Sequence, residues 1–139
     1  MKAGFVADAS VAMAWVVESQ STQVTDSLLV ETETGASVHV PVLWTFEVAN
    51  ALLILKRRRR IDQQGYDQAR LDLRRLRLLF DEEGPQVALS STCDCAEKYA
   101  LSAYDAAYLE LALRRGLPLA SRDTALNKAA RRAGIKTLL

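Results

Sequence analysis

Four acidic residues occupy positions that point to a shared chemistry: Asp8, Glu47, Asp105 and Asp123. Asp8 and Asp123 each follow a short apolar run that is typical of a buried strand. Converging carboxylates repel one another, and burial penalises their charged forms further. A divalent cation would resolve both problems, because oxygen-rich carboxylate sites suit Mg²⁺ or Mn²⁺. The pattern therefore predicts a metal site, with Arg122 as one candidate for partial neutralisation.

The position of Asp105 within its helix supports this interpretation. At about 100° per residue, Asp105 shares the apolar side of the helix with Leu109 and Ala112. Glu110 and Arg114 fall on the side that we expect to face solvent. A carboxylate on the apolar side needs a partner, and a bound metal ion would supply one.

Glu47 is interpreted in the same way. It shares one stripe of its predicted helix with Leu43, Ala51 and Ile54. We place the following residues on the opposite stripe: Thr45, Ala49, Leu52 and Lys56. Glu47 is therefore expected to face inward, near the end of the strand that precedes its helix.

Each acid also has a structural explanation when it is taken alone. Asp8 and Asp123 are suitable N-caps, and Ser102 with Asp105 forms the S-x-x-D pattern of a capping box. Glu47 is a first-turn acid that the helix dipole favours. These explanations weaken when the four acids are taken together, because a purely structural or binding module has no need for clustered like charges.

The elements that would position these acids alternate along the chain. We predict strands at 4–7, 37–41, 86–90 and 117–121, with a possible fifth at 135–139. We predict helices at 10–18, 21–34, 42–60, 62–84, 93–100, 102–116 and 124–134. This alternation predicts one α/β domain over residues 1–139, a three-layer α/β/α sandwich with a parallel sheet of four to five strands. Asp8 and Asp123 would then lie at the same edge, where such sheets collect ligands.

Composition excludes several classes of protein. The net charge of +1 makes a diffuse attraction to nucleic acid unexpected, so any such attraction must be local. No apolar run reaches the roughly 18 residues that span a bilayer, so no membrane association is expected. Cys93 and Cys95 lack the partners of a zinc site and are expected to be reduced, which favours the cytoplasm. His39 is the only histidine, which excludes a ribonuclease with a histidine acid–base pair.

A basic run, KRRRR at 56–60, follows the predicted helix that carries Glu47. Three interpretations remain open. The cations complement the dipole of a helix end, form a solvated turn, or hold a phosphate backbone.

The order of the acidic motifs resembles that of a PIN domain and, more narrowly, of the VapC-like ribonuclease toxins of toxin–antitoxin pairs. The resemblance rests on VADAS with Asp8, PVLWTFEVANAL with Glu47, LSAYDAAYLELA with Asp105 and LASRDTAL with Asp123. It runs from residue 4 to the end of the chain. The most specific part is YDAAYLELA followed, after a short strand, by SRD.

The resemblance implies metal-dependent cleavage of RNA phosphodiesters. The four acids match the acidic quartet of the family, Ser121 matches a hydroxyl that supports the site, and the pair Glu47–Asn50 matches the usual E-x-x-N. Asp8 and Asp105 are expected to be the most direct ligands of Mg²⁺ or Mn²⁺. Glu47 and Asp123 are expected to bind the metal through water or to position the attacking water.

The resemblance also implies partners. An identical subunit and a small antitoxin that blocks the acidic pocket are expected to bind the chain. Two alternatives remain open. One is an inactive PIN-like module that binds RNA or a partner protein, and the other is a PIN-type nuclease that acts on DNA. A phosphoacceptor receiver domain is disfavoured, because Asp8 lacks an adjacent acid.

Overall fold

Four short apolar runs form the strands of one parallel sheet. They are visible in a computed structural model that describes residues 4–139. The strands are β1 (Phe5–Ala7), β2 (Val38–Pro41), β3 (Leu78–Asp81) and β4 (Leu119–Ala120). Their spatial order is β3-β2-β1-β4, and every neighbouring pair is parallel.

Helices cover both faces of this sheet. The helices are α1 (Ala9–Val16), α2 (Gln23–Glu33), α3 (Trp44–Arg57), α4 (Gln63–Arg74), α5 (Gly84–Val87), α6 (Cys93–Tyr99), α7 (Ala103–Arg115) and α8 (Thr124–Arg132). Helix α7 packs on β1 and β2 and also contacts α6 and α8. Helix α1 packs on β1 and contacts α2, α3 and α4. The predicted α/β/α architecture is confirmed.

The strand order places a topological switch point at the carboxyl ends of β1 and β4. From β1 the chain proceeds to β2 on one side of the sheet, whereas β4 adds to the other side. The backbone N–H of Asp8 donates to the carbonyl of Ala120 over 3.1 Å, which holds the two strand ends together. Open α/β sheets bind ligands in the crevice at such a point.

The sequence pattern predicts one helix over residues 62–84. In the structure this segment is a helix followed by a strand. Helix α4 ends at Arg74, and β3 pairs with β2 from Leu78 to Asp81. The leucine- and arginine-rich stretch has helical character locally, and the pairing that overrides it is non-local. Because β3 is an edge strand with Leu79 and Phe80 exposed, it also lacks the buried pattern that identifies a strand.

The strand predicted at 86–90 is also wrong, because this stretch is helical. Pro85 lies in the first turn of α5, where its missing N–H costs nothing, so the Gly84–Pro85 pair begins a helix instead of ending one. A π-helical turn, Ala88–Thr92, continues directly into α6. Leu89 is 93% exposed, which is incompatible with a buried strand.

The possible fifth strand at 135–139 is reduced to a single bridge between Leu119 and Thr137. By contrast, the helix predicted to stop at Gly35 does so. Helix α2 ends at Glu33, and Gly35 has a φ of +115°, a conformation that favours glycine. None of the helices in residues 4–139 combines the length and apolar composition needed to cross a membrane.

Helix α7 is buried on a larger part of its surface than the sequence predicts. Leu109 and Ala112 are fully buried, as expected. Glu110, predicted to face solvent, is only 6% exposed. Its carboxylate is tolerated because the Nε of Arg114 donates to it over 2.8 Å.

The same arginine anchors the edge strand. The Nη1 and Nη2 atoms of Arg114 donate to the two carboxylate oxygens of Asp81, at 3.0 and 2.5 Å. The Nη2 of Arg115 donates to Asp81 over 3.2 Å, and its Nη1 lies 2.8 Å from the Nδ1 of His39. Burial alone would raise the pKa of Asp81, but the hydrogen bond and charge of Arg114 hold it below its usual value. These contacts tie the end of β3 to α7.

The contact between His39 and Arg115 predicts a pH dependence of stability. Burial, and then the positive charge of Arg115, lower the pKa of His39 in the folded protein. Its contribution to stability is therefore complete above the unfolded pKa of about 6.5 and is lost as the pH falls through the lower folded value. We expect the wild type to lose stability relative to His39→Gln between about pH 7.5 and 5, because glutamine keeps an acceptor for Arg115 without titrating.

Urea unfolding of both proteins at several pH values measures this difference. The comparison with the variant is necessary because other groups titrate in the same range. Parallel stability profiles for the two proteins would contradict the assignment to His39.

Candidate active site

Asp8 lies at the end of β1 and caps α1. Its Oδ1 accepts hydrogen bonds from the backbone N–H groups of Ser10 and Val11, at 3.1 and 3.3 Å, and from the Ser10 hydroxyl at 2.5 Å. Its Oδ2 accepts from the Ser121 hydroxyl at 2.5 Å. Burial raises the pKa of Asp8, and these hydrogen bonds oppose the rise. The capping role considered for Asp8 is therefore real, but it leaves the carboxylate without a cation.

Ser121 joins the ends of β1 and β4. Its side chain is fully buried, and its hydroxyl both donates to Asp8 and accepts from the backbone N–H of Asp123 over 2.9 Å. The side-chain amide of Asn127 donates to the Ser121 carbonyl over 2.8 Å. The sequence-predicted hydroxyl thus contacts one of the four acids directly and a second through the backbone.

Glu47 lies in the first turn of α3, at the border of the buried face. The stripe predicted for this helix needs correction, because the buried residues are Trp44, Val48 and Leu52, whereas Ile54 is exposed. The buried face follows the side on which α3 packs against α1 and α4. Glu47 is partly buried, and Asn50, one turn later, is exposed.

The carboxylate of Glu47 contacts a tyrosine on the opposite helix layer. The hydroxyl of Tyr108, on α7, donates to Glu47 Oε1 over 2.5 Å. Tyr108 is 1% exposed. Burial and the hydrogen bond to Glu47 raise the pKa of the Tyr108 hydroxyl, so it remains a donor.

Asp105 and Asp123 complete the acidic group, the set formed by Asp8, Glu47, Asp105 and Asp123. The backbone N–H of Asp105 donates to the hydroxyl of Ser102 over 3.1 Å, so Ser102 caps α7, which is the first of the two hydrogen bonds of the capping box considered for this pair. Asp105 itself is partly buried. Asp123 is exposed and caps α8, its Oδ1 accepting from the N–H of Leu126 over 2.9 Å.

Electrostatic effects on the pKa values connect all four acids. Burial raises the pKa of Glu47, and the charges of Asp105 and Asp8 raise it further. Burial and then the charge of Asp123 raise the pKa of Asp105, while the Ser102 hydrogen bond lowers it. Asp8 and Asp123 follow β1 and β4, and Glu47 lies in the first turn of the helix after β2, so these three acids lie at the carboxyl edge of the sheet. The hydrogen bond between Tyr108 and Glu47 brings α7, which carries Asp105, to the same edge.

None of these four acids forms an ion pair with a lysine or arginine in residues 4–139. Arg122, the candidate for neutralisation, is directed elsewhere, because its Nη1 donates to the carbonyl of Gln20 over 3.0 Å. The negative charge of the acids thus remains uncompensated within the described part of the chain.

The oxygen donors of this group fit a divalent cation. In the described range 4–139, no three histidine, cysteine, aspartate or glutamate side chains form a preassembled cage. Such a cage is not required, because Mg²⁺ keeps several waters and is usually held by one or two carboxylates. An all-oxygen donor set with uncompensated charge suits Mg²⁺ or Mn²⁺.

Tyr108 is a site residue that the sequence reasoning missed. The motif YDAAY contains it, three residues after Asp105, but its side chain meets Glu47, which is 61 positions earlier in the chain. Ser10 was missed as well, although its position two residues after Asp8 is typical of a local side-chain hydrogen bond.

Comparison with solved structures supports the fold. The chain is similar to PAE2754 from Pyrobaculum aerophilum, with a TM-score of 0.68 and 22% identity over 99% of this chain and 92% of that one. A toxin–antitoxin complex from Klebsiella pneumoniae gives a TM-score of 0.64 and 15% identity over 98% of both chains. FitAcB from Neisseria gonorrhoeae gives 0.62 and 16% identity, covering 96% of this chain and 95% of that one.

Comparison of the sequence alone identifies the family. No curated protein matches the chain significantly. The family model of the PIN domain matches residues 5–132, a range that contains all four acids and Ser121. This chain belongs to the PIN domain family.

Proposed function

We propose that this chain is a metal-dependent endoribonuclease that hydrolyses RNA phosphodiester bonds and acts as the toxin of a toxin–antitoxin pair. The observation that supports the proposal is that Asp8, Glu47, Asp105 and Asp123 lie at the carboxyl edge of the sheet and none of them has an ion-pair partner in residues 4–139. A structural role for the acids explains their separate hydrogen bonds. It does not explain why their charges are brought together.

In this proposal the four acids and Ser121 have different roles at the metal site. Asp8 and Asp105 would hold the metal directly, and Ser121 would fix the carboxylate of Asp8. Glu47 and Asp123 would bind through water or position the attacking water. A bound Mg²⁺ or Mn²⁺ would supply Lewis acidity and a water of lowered pKa.

The biological role is proposed from the structural neighbours. One neighbour is a toxin–antitoxin complex, and another is VapBC2 from Rickettsia felis bound to a DNA fragment from its promoter. By analogy we propose a cognate antitoxin, a homodimer and a cytoplasmic location for this chain. A basic side chain of the antitoxin would complement the uncompensated acids.

The proposal is tested by incubating the purified protein with total RNA and Mn²⁺, with and without a chelator. We expect cleavage that requires the metal and stops when the chelator is added. Cleavage that continues in the chelator would contradict metal dependence. Parallel incubation with double-stranded DNA distinguishes a ribonuclease from a DNA nuclease.

Replacing Tyr108 by phenylalanine tests whether its hydroxyl positions Glu47. We expect RNA cleavage to fall about tenfold to 100-fold, the usual effect of removing a hydrogen bond from the outer shell of a metal site. The loss should appear in kcat more than in KM, and Mn²⁺ affinity measured by calorimetry should fall with it.

The matched control for this variant is Tyr104→Phe. Tyr104 lies one turn earlier on α7 and is 68% exposed. Its replacement should leave both cleavage and Mn²⁺ affinity unchanged. Equal behaviour of the two variants would remove Tyr108 from the site.

A further inference from the structure

Basic residues concentrate in the hairpin formed by α3 and α4. Residues 56–77 contain nine lysines and arginines and three aspartates. The rest of the chain contains nine lysines and arginines and fourteen acidic residues. The net charge of +1 therefore conceals a positive hairpin on an otherwise negative protein.

The four consecutive arginines at 57–60 are exposed at the connection of the hairpin. Within the described residues, none of them forms an ion pair with a carboxylate, and among the nine cations of the hairpin only Arg70 does, with Asp67 at 2.6 Å. Lys56 differs from them, because it is partly buried with its Nζ 4.8 Å from the centre of the Tyr66 ring. The charge at 57–60 is thus available to an external partner.

The helix dipole explains only part of this run. Lys56 and Arg57 lie in the last turn of α3, where cations are favoured, whereas Arg58, Arg59 and Arg60 lie beyond the last helical residue. A solvated turn would not require four cations in succession, since like charges at such spacing repel one another.

The backbone at this point provides a second observation. The N–H of Arg60 donates to the carbonyl of Leu55 and that of Arg59 to the carbonyl of Lys56, at 2.8 and 3.0 Å. This is the Schellman arrangement, in which glycine is the usual residue at the left-handed position. Arg59 occupies that position with a φ of +57°. The chain therefore keeps a cation where the backbone favours glycine.

The run and the acidic group are held by the same helix. Glu47 lies in the first turn of α3 and Arg58 caps its other end. Eleven residues of helix separate them by about 16 Å along the axis. The distance between the acids and the basic run is therefore set by a rigid element.

We propose that the arginines at 57–60 bind the phosphate backbone of single-stranded RNA and hold it near the four acids at the carboxyl edge of the sheet, which we call the acidic edge. This inference deepens the proposed ribonuclease function and rests on it for the identity of the polyanion. An acidic edge repels RNA, and a net charge near zero supplies no general attraction, so binding requires a local cationic surface. The basic end of α3 provides that surface.

The test measures RNA binding without cleavage. Fluorescence anisotropy with a labelled single-stranded RNA of about 12 nucleotides is recorded in chelator over a range of salt concentrations. One variant replaces all four arginines: Arg57→Gln, Arg58→Gln, Arg59→Gln and Arg60→Gln. It should bind the RNA at least about tenfold more weakly than the wild type. The slope of log K against log salt should decrease by about 0.7 for each lost phosphate contact, and thus by up to about 2.8.

The control removes the same number of charges from another surface. Four exposed cations lie on α8 and the segment after it: Lys128, Arg131, Arg132 and Lys136. Their combined replacement by glutamine should leave the affinity and the slope near the wild-type values. Circular dichroism of both variants checks that each remains folded.

The outcomes separate this inference from the proposed function. An unchanged slope in the 57–60 variant, or equal losses in both variants, overturns the inference even if the protein cleaves RNA. The run would then be assigned to an acidic protein partner or to no partner. Weaker binding in the 57–60 variant alone supports the inference even if no cleavage is ever observed.

Discussion

Replacing Asp105 by asparagine is expected to reduce Mn²⁺-dependent RNA cleavage by at least about 100-fold. Groups that only hydrogen-bond to metal ligands already contribute 10- to 100-fold, and Asp105 is proposed as a ligand itself. Asp8→Asn should have an effect of the same order. Initial rates on total RNA at saturating Mn²⁺ measure both variants. Full activity in folded variants would contradict the catalytic assignment, because no other group in the proposal replaces the negative charge of Asp8 or Asp105.

Asp105→Asn is also expected to change the stability of the metal-free protein. Burial and the charge of Asp123 raise the pKa of Asp105, so its ionised form destabilises the fold at neutral pH. We expect Asp105→Asn to raise the melting temperature in chelator and to reduce the increase that Mn²⁺ produces. A capping role alone makes the opposite forecast, a lower melting temperature in chelator.

Asp94→Asn is the matched control for both measurements. Asp94 is also a first-turn acid, on α6, but it is exposed. Its replacement removes the same interaction with a helix dipole without touching the acidic group. Cleavage and the response to Mn²⁺ should therefore match those of the wild type.

Replacing Arg114 by methionine is expected to lower the free energy of unfolding by about 3 kcal/mol. Arg114 holds the buried carboxylates of Asp81 and Glu110, whose side chains are 2% and 7% exposed. Methionine keeps most of the volume of the side chain and leaves both charges without their main partner. Chemical denaturation measures the loss, and hydrogen exchange should show it first in β3.

The control for this prediction is Arg70→Met. Arg70 also pairs with an aspartate, Asp67, but both side chains are about half exposed, at 53% and 52%. Exposed pairs contribute less than about 1 kcal/mol. If the two substitutions cost the same, burial of the Asp81 pair has no energetic consequence and the anchoring role is refuted.

The sequence predicts well those features that depend on neighbouring residues. Asp8 and Asp123 follow short apolar runs and begin helices, so their place at the strand ends can be inferred locally. Ser102 precedes Asp105 at capping distance for the same reason. Each of these positions is specified by fewer than about ten residues of chain, the scale over which turns and caps act.

The features that were missed depend on distant partners. The strand β3 is created by pairing with β2, about forty positions earlier in the chain, and nothing in its own pattern opposes a helix. The charge of Glu110 predicts exposure, but Arg114 makes its burial possible, and Arg114 is held in turn by Asp81, 33 positions earlier in the chain. The contact between Tyr108 and Glu47 joins two helices that the sequence does not pair.

The edge position of β3 has a further consequence for how the protein behaves at high concentration. Its outer side offers unpaired backbone groups, and Leu79 and Phe80 are exposed beside them. Such an edge can recruit another extended chain and start fibril growth. Here Arg77 precedes β3, and Glu82 and Glu83 follow it. The exposed edge is therefore only four residues long. Charges that flank an apolar strand in this way act as gatekeepers against such growth.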